Sequence, residues 1–96
     1  MAKLVWRERA LSDVDRLYQF IHEKSPEAAS RAAHVILRGS LHLETTPKLG
    51  RPMSDTSGRR ELFIPFGSSF YVIRYFLDSD DTVVIVRVWH SRENRV

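Results

Sequence analysis

Residues 59–90 read RRELFIPFGSSFYVIRYFLDSDDTVVIVRVWH, and this stretch decides the fold. β-Branched and aromatic side chains are dense in it, and polar and apolar positions alternate in three runs broken by clusters of turn-forming residues. The pattern predicts a strand over 59–64, a turn over 65–69, a second strand over 70–77, a turn over 78–81 and a third strand over 82–90. Turns this short join only antiparallel neighbours, so the second half of the chain is expected to be a three-stranded antiparallel meander.

Upstream the period changes from two to that of a helix. Ala10, Val14, Leu17 and Ile21 fall on one helical face, which sets a first helix starting near Glu8 and places Asp13, Arg16 and His22 off the stripe. A later start, with Ser12 and Asp15 as a capping box, is the alternative. Ser25-Pro26-Glu27 opens a second helix: a hydroxyl for a free backbone N–H, a proline at the first helical position, and an acid at the positive end of the dipole. The stripe Ala29, Ala33, Ile36, Ser40, Leu43 is small at one end and allows close approach, hence an antiparallel helical hairpin. Gly39 costs about 1 kcal/mol relative to alanine inside a helix and permits a bend there. Pro47 stops the helix, residues 46–58 form a loop, and residues 3–6 form a short first strand. The fold class is α+β: N-terminal strand, helical hairpin, then antiparallel meander, as one domain over 1–96.

Alternation assigns faces to the meander. Leu62 and Ile64, Tyr71, Ile73 and Tyr75, and Val84, Val86 and Val88 are placed under the helices. Glu61, Phe63, Val72, Arg74, Phe76, Ile85, Arg87 and Trp89 are placed on the other side. One helical layer covers one side of a sheet, so the second side is expected to be an open apolar patch bordered by charge, the mark of a partner surface.

Composition narrows the chemistry. The chain has no cysteine, which removes a disulfide framework and thiolate metal ligands and fits a reducing, cytoplasmic setting. No apolar run approaches the roughly 20 residues of a membrane span, and the first residues lack the apolar core of a signal peptide. A net charge of +3 suits nucleic acid, a ribosome or an acidic protein partner. There is no Gly-x-Ser-x-Gly elbow and no phosphate-cradling glycine loop. Of the four histidines, His22, His34 and His42 read as solvated helix residues, and no pair has i, i+4 spacing, so neither metal nor cofactor is expected. What remains is Arg51, Arg59, Arg60, Arg74, Arg87, Arg92 and Arg95, with His90, Tyr18, Tyr71 and Tyr75. Metal-free RNA cleavage needs an acid, a base and cations for the phosphorane, roles open to His90 with Arg51, Arg60 and Arg92. The structural alternative has Arg51 and Arg60 anchoring the loop and Arg87 pairing with Glu61.

The order of these elements, with Gly50-Arg51-Pro52 in the loop, Arg60-Glu61-Leu62 opening a strand, YVIRY at 71–75 and VRVWHSR at 86–92, resembles the RelE/ParE toxin superfamily. Trp6, Ala10 and Ser25-Pro26 resemble its ParE-type members. The resemblance implies the toxin of a type II toxin–antitoxin system, of the kind that stabilises plasmids, bound in a hetero-oligomer by a cognate ParD-like antitoxin. RelE-like members cut mRNA on the ribosome with clustered Lys and Arg and commonly a C-terminal Tyr; ParE-like members poison DNA gyrase. Here Phe66-Gly67-Ser68-Ser69 lacks the arginine often found before the middle strand, Val72 follows Tyr71, the tail Glu93-Asn94-Arg95-Val96 has no tyrosine, and Lys48 is the only lysine after residue 46. The resemblance therefore points to a gyrase poison without catalytic residues. The alternatives are a ribosome-dependent mRNA endoribonuclease using Arg51, Arg60, His90 and Arg92, and a non-toxic antitoxin-binding module. Target or antitoxin contacts are expected at Phe63, Arg74, Phe76, Arg87, Trp89, His90 and Arg92.

Overall fold

The computed structural model describes residues 1–95; Val96, the end of the tail discussed above, lies outside them. The elements are β1 (Lys3–Trp6), α1 (Glu8–His22), α2 (Pro26–Thr45), β2 (Arg51–Pro52), β3 (Arg60–Phe66), β4 (Ser69–Ser79) and β5 (Thr82–His90). α1 begins at Glu8, the earlier of the two starts considered. At α2 the Ser25 hydroxyl accepts the Ala28 N–H at 3.2 Å with Pro26 in the first turn, and the helix stops two residues before Pro47.

The meander β3–β4–β5 is antiparallel. It is the centre of a five-stranded sheet ordered β1-β5-β4-β3-β2. The sheet is mixed, because β1 lies parallel to β5, and the expected loop contains the two-residue strand β2, antiparallel to β3. Local patterning cannot announce either pairing: a two-residue strand has no period, and the partner of β1 lies at the far end of the chain.

Both helices cover one side of the sheet. Ala10, Ala29 and Ala32 are fully buried, with Ile36 and Leu43 beneath α2 and Ile64, Tyr71, Ile73 and Tyr75 rising from the strands. Ala32, rather than the expected Ala33, lies on the core-facing stripe. Gly39 serves contact rather than bending: a Cβ there would collide with the Ile64 side chain, so the missing methyl lets α2 settle onto β3.

One face assignment is overturned. Arg74 pairs with Arg87, but the next residue, Tyr75, pairs with Ile85, leaving Val86 as an extra residue on β5. This bulge reverses the alternation beyond it. Ile85 and Val83 enter the helix-covered core, and Val84 stands opposite Phe76 on the other side. The expectation of an open second face is corrected as well. Val72 and Trp89 are 0% and 2% exposed and Arg74 is 8% exposed, because side chains of this same chain lie across that face. Large apolar side chains that do reach solvent, such as Phe20, Leu37 and Leu41, are on the helices.

Candidate functional site

Strand β1 reaches only to the level of Ile85, whose carbonyl accepts the Arg7 N–H at 3.0 Å. Beyond that level β5 has no strand on its outer side, and α1 supplies side chains instead. Asp13 Oδ2 accepts the Val88 N–H at 2.8 Å and Arg87 Nε at 2.7 Å, while Oδ1 receives the Arg87 and Arg16 guanidinium groups at 3.3 Å each. Arg16 also donates to the Val88 carbonyl at 3.3 Å. A carboxylate and a guanidinium thus take the place of a neighbouring strand and satisfy backbone groups that would otherwise form a bare edge. Asp13 is 3% exposed, contrary to its expected place off the stripe. The signal was present: Ala10, Asp13 and Leu17 follow the same three-then-four spacing as the core residues.

From Asp13 a chain of charge and aromatic contacts crosses the second face. The guanidinium groups of Arg87 and Arg74 both lie 4.6 Å from the Trp89 ring centre, and Arg74 donates to Glu61 Oε2 at 3.1 and 2.9 Å. Glu61 also meets Arg95 at 3.5 Å. Arg87 therefore pairs with Asp13, and the expected Arg87–Glu61 pair is replaced by Arg74–Glu61. Phe63 and Phe76 are half-buried, with Arg51 and Arg7 guanidinium groups 5.0 and 5.3 Å from their ring centres. Arg74, Arg87 and Trp89, read as contact residues from sequence, are thus largely occupied with one another. A 2% exposed Trp89 offers almost no surface to a partner unless the arginines move.

His90 and Arg92 stand at the other end of β5, beside the largest groove. This groove, of about 1010 Å³, runs between α1, the start of α2, the β3–β4 turn and the tail. The His90 ring meets Tyr71 edge-on at 5.4 Å, and its Nδ1 accepts the Arg92 N–H at 3.1 Å. Glu93 ties the tail down: Oε1 accepts the His90 N–H and Oε2 the Arg16 guanidinium, both at 3.0 Å. Arg16, Arg31 and Arg92 line the groove against the single acid Glu93, so it is cationic. Phe20, 70% exposed, forms an apolar lip. Sequence reading found His90 and Arg92 but missed Phe20, Arg16 and Arg31. Their helical spacing places them away from the core, and only the fold brings them to the strand end.

The four residues considered for RNA cleavage do not converge. Arg60 is level with Tyr75 and His90 with Tyr71, on strands either side of β4. At roughly 3.3 Å per residue and 4.8 Å per strand, their backbones are about 16 Å apart. Arg60 is also engaged, donating to the Lys48 and Gly50 carbonyls at 3.2 and 2.8 Å. The same loop is held by Tyr75, whose hydroxyl donates to the Pro47 carbonyl and accepts the Gly50 N–H, each at 2.8 Å. A Cβ at position 50 would press on the Tyr75 ring at 2.7 Å, so Gly50 is required by this close approach. Gly50-Arg51-Pro52 therefore includes a loop anchor, in line with the structural alternative for Arg60.

Burial pushes the Tyr75 and Tyr71 hydroxyls above the ordinary tyrosine value of 10.0. For Tyr75 the Gly50 hydrogen bond and the Arg60 charge partly oppose this. A raised folded-state pKa contributes stability that is complete below the unfolded value and is lost as pH rises through the folded one. The melting temperature of Tyr75→Phe is expected to lie below that of the parent at neutral pH, with the gap closing above pH 10. A gap that persists unchanged into strong alkali would show that the buried hydroxyl is not the origin.

Comparison with known proteins adds the following. The family model described as "ParE toxin of type II toxin-antitoxin system, parDE" matches residues 4–95. Three proteins of Caulobacter vibrioides are similar over nearly the full length. Toxin RelE1 is 39% identical over 87 residues, which is 91% of this chain and 90% of that protein. Toxin RelE3 is 38% identical, covering 91% of each chain, and Toxin RelE2 is 35% identical over 95% of this chain and 97% of that one. A solved structure of the chromosomal ParDE TA system from P. aeruginosa contains a chain of the same fold, with a TM-score of 0.76 at 22% identity, covering 94% of this chain and 96% of that one.

Proposed function

The chain belongs to the ParE toxin family of type II toxin–antitoxin systems, and on that premise we propose that it arrests growth by poisoning DNA gyrase in the cytoplasm and is held in check by a cognate antitoxin. One observation carries the choice of gyrase over RNA. The cations an RNase would gather round the scissile phosphate are split between two ends of the sheet, and Arg60 is spent on loop carbonyls. Without an assembled acid, base and phosphorane clamp, the protein acts by binding. The cationic groove with His90, Arg92 and the Phe20 lip is the surface best suited to the target, since its charges face solvent while those of the second face are mutually engaged.

A second reading has its own support. The relatives carry the name RelE, and His90 with Arg92 sits at a groove wide enough for a nucleotide, so ribosome-dependent mRNA cleavage is the alternative. Expression of the chain without an antitoxin separates the two. Gyrase poisoning is expected to arrest growth with chromosomal breaks while cellular mRNA stays intact. Fragmented mRNA without DNA breaks would move the assignment to the ribosome, and undiminished growth would leave a non-toxic binding module.

A further inference from the structure

The sheet has an unfinished edge. β2 pairs with β3 only at Arg51–Glu61 and Pro52–Arg60, and the chain before Arg51 turns away to α2, so residues 62–66 of β3 have no strand on that side. The register tells which backbone groups point outward. Gly67 and Ser68 form a two-residue hairpin turn between the paired residues Phe66 and Ser69, so Phe66, Ile64 and Leu62 direct their N–H and C=O groups toward β4. The alternate residues face out. Arg59 and Glu61 point to β2 and its extension, in keeping with the Met53 N–H to Arg59 carbonyl bond of 2.9 Å, and Phe63 and Pro65 point into open space. Pro65 is tolerated there because an edge position needs no N–H.

A groove of about 370 Å³ lies directly beside these groups, between β3 and α2. Its apolar wall is Val35, Leu49, Leu62 and Ile64, and Gly39 lies at its base. Leu49 is 50% exposed, although a leucine in a loop gains nothing from water. The rim is basic: Arg38 and His42 line the groove, Lys48 and Arg51 stand at its mouth, and among the described residues no carboxylate pairs with Arg38, Lys48 or Arg51.

The geometry points to β-strand addition: an extended acidic segment of the antitoxin lies in the lane left vacant beside β3, hydrogen-bonded to the Phe63 N–H and C=O and the Pro65 C=O. The inference rests on the reading of the chain as an antitoxin-neutralised toxin. Side chains on an added strand alternate. The residue level with Phe63 shares its face and meets the Arg51 guanidinium stacked on that ring, which calls for an acid. Its two neighbours point under the edge into the groove, on Val35 and Leu49, which calls for apolar residues. The recognised pattern is therefore apolar–acidic–apolar in an extended segment, bordered by further acids toward Arg38 and Lys48. The other edge strand, β1, is four residues long and is tied to the end of α2 by the Ala2 N–H to Glu44 carbonyl bond of 2.7 Å.

The test uses the full chain and the protein encoded beside it, as the complex and as the free toxin. Amide hydrogen exchange at Phe63 is expected to slow at least about tenfold on complex formation. Leu49→Glu, on an exposed side chain, is expected to weaken the complex at least about tenfold, whereas Leu11→Glu on the exposed side of α1 leaves the affinity unchanged. A complex that forms while Phe63 exchange stays as in the free toxin overturns strand addition and leaves the toxin reading standing. A helical segment docked in the groove gives that same result even if Leu49→Glu weakens it. Failure of the adjacent protein to bind or to rescue growth overturns the antitoxin premise, and the inference with it.

Discussion

Replacing Asp13 by alanine is expected to lower the stability of the fold by about 3–5 kcal/mol, the usual cost of removing one partner of a buried ion pair. In a chain of this size that corresponds to a fall of roughly 15–25 °C in melting temperature. The substitution removes more than a charge. The Val88 N–H loses its acceptor at 2.8 Å, and Arg87 loses the carboxylate that fixes its guanidinium over Trp89. A donor left buried without a partner costs its full desolvation, and the alanine methyl cannot draw in enough water at a site only 3% exposed. Asp13→Asn separates the components, because its carbonyl still accepts from Val88 while the ion pair is lost, and it should retain a substantial part of the difference. Thermal unfolding followed by circular dichroism gives the values. A loss below about 1 kcal/mol in the alanine variant, the scale of an exposed pair, would mean that Asp13 does not hold the β5 edge.

Trp89→Ala is the second large effect, also about 3–5 kcal/mol, as for other buried aromatics cut to alanine. Trp89 is 2% exposed although no helix lies above it. Its cover is Arg74 on one side and Arg87 on the other, each with its guanidinium 4.6 Å from the ring centre. Such cation–ring contacts contribute about 0.5–2 kcal/mol each, and the arginine stems add apolar area. Removing the ring takes away the platform on which both cations rest and leaves Glu61 and Asp13 as their only described anchors. Denaturant unfolding should register the loss with little change in the slope. A cost below about 1 kcal/mol would return the second face to the open surface its sequence suggested.

These two residues mark where sequence reading stopped. The helix starts at Glu8 and at Ser25-Pro26, and the meander of β3, β4 and β5, were legible because each is announced locally, by apolar period, cap chemistry or turn residues. The bulge at Val86 was not. In the run Val83-Val84-Ile85-Val86 every residue is apolar, so either alternate set serves as the inward face, and the choice is made by pairing with Tyr75 on another strand. Asp13 was misplaced because its partner is 74 residues away, and a lone acid among apolar positions reads as a break in the stripe. The arginines of the second face were read as a charged border. Sequence gives their charge but not that their planar groups lie flat on an indole. At the candidate site, His90 and Arg92 were legible because they are nearly adjacent in the chain, whereas Phe20, Arg16 and Arg31 reach the same groove only through the packing of α1 and α2 against the strand ends.

The most direct test of the assignment is the purified chain mixed with DNA gyrase, ATP and supercoiled plasmid. Micromolar toxin is expected to trap cleaved complexes, seen as linear plasmid after the protein is digested, with Arg92→Glu sharply reducing the yield. Plasmid that stays supercoiled, or relaxes fully without breaks, would contradict gyrase poisoning.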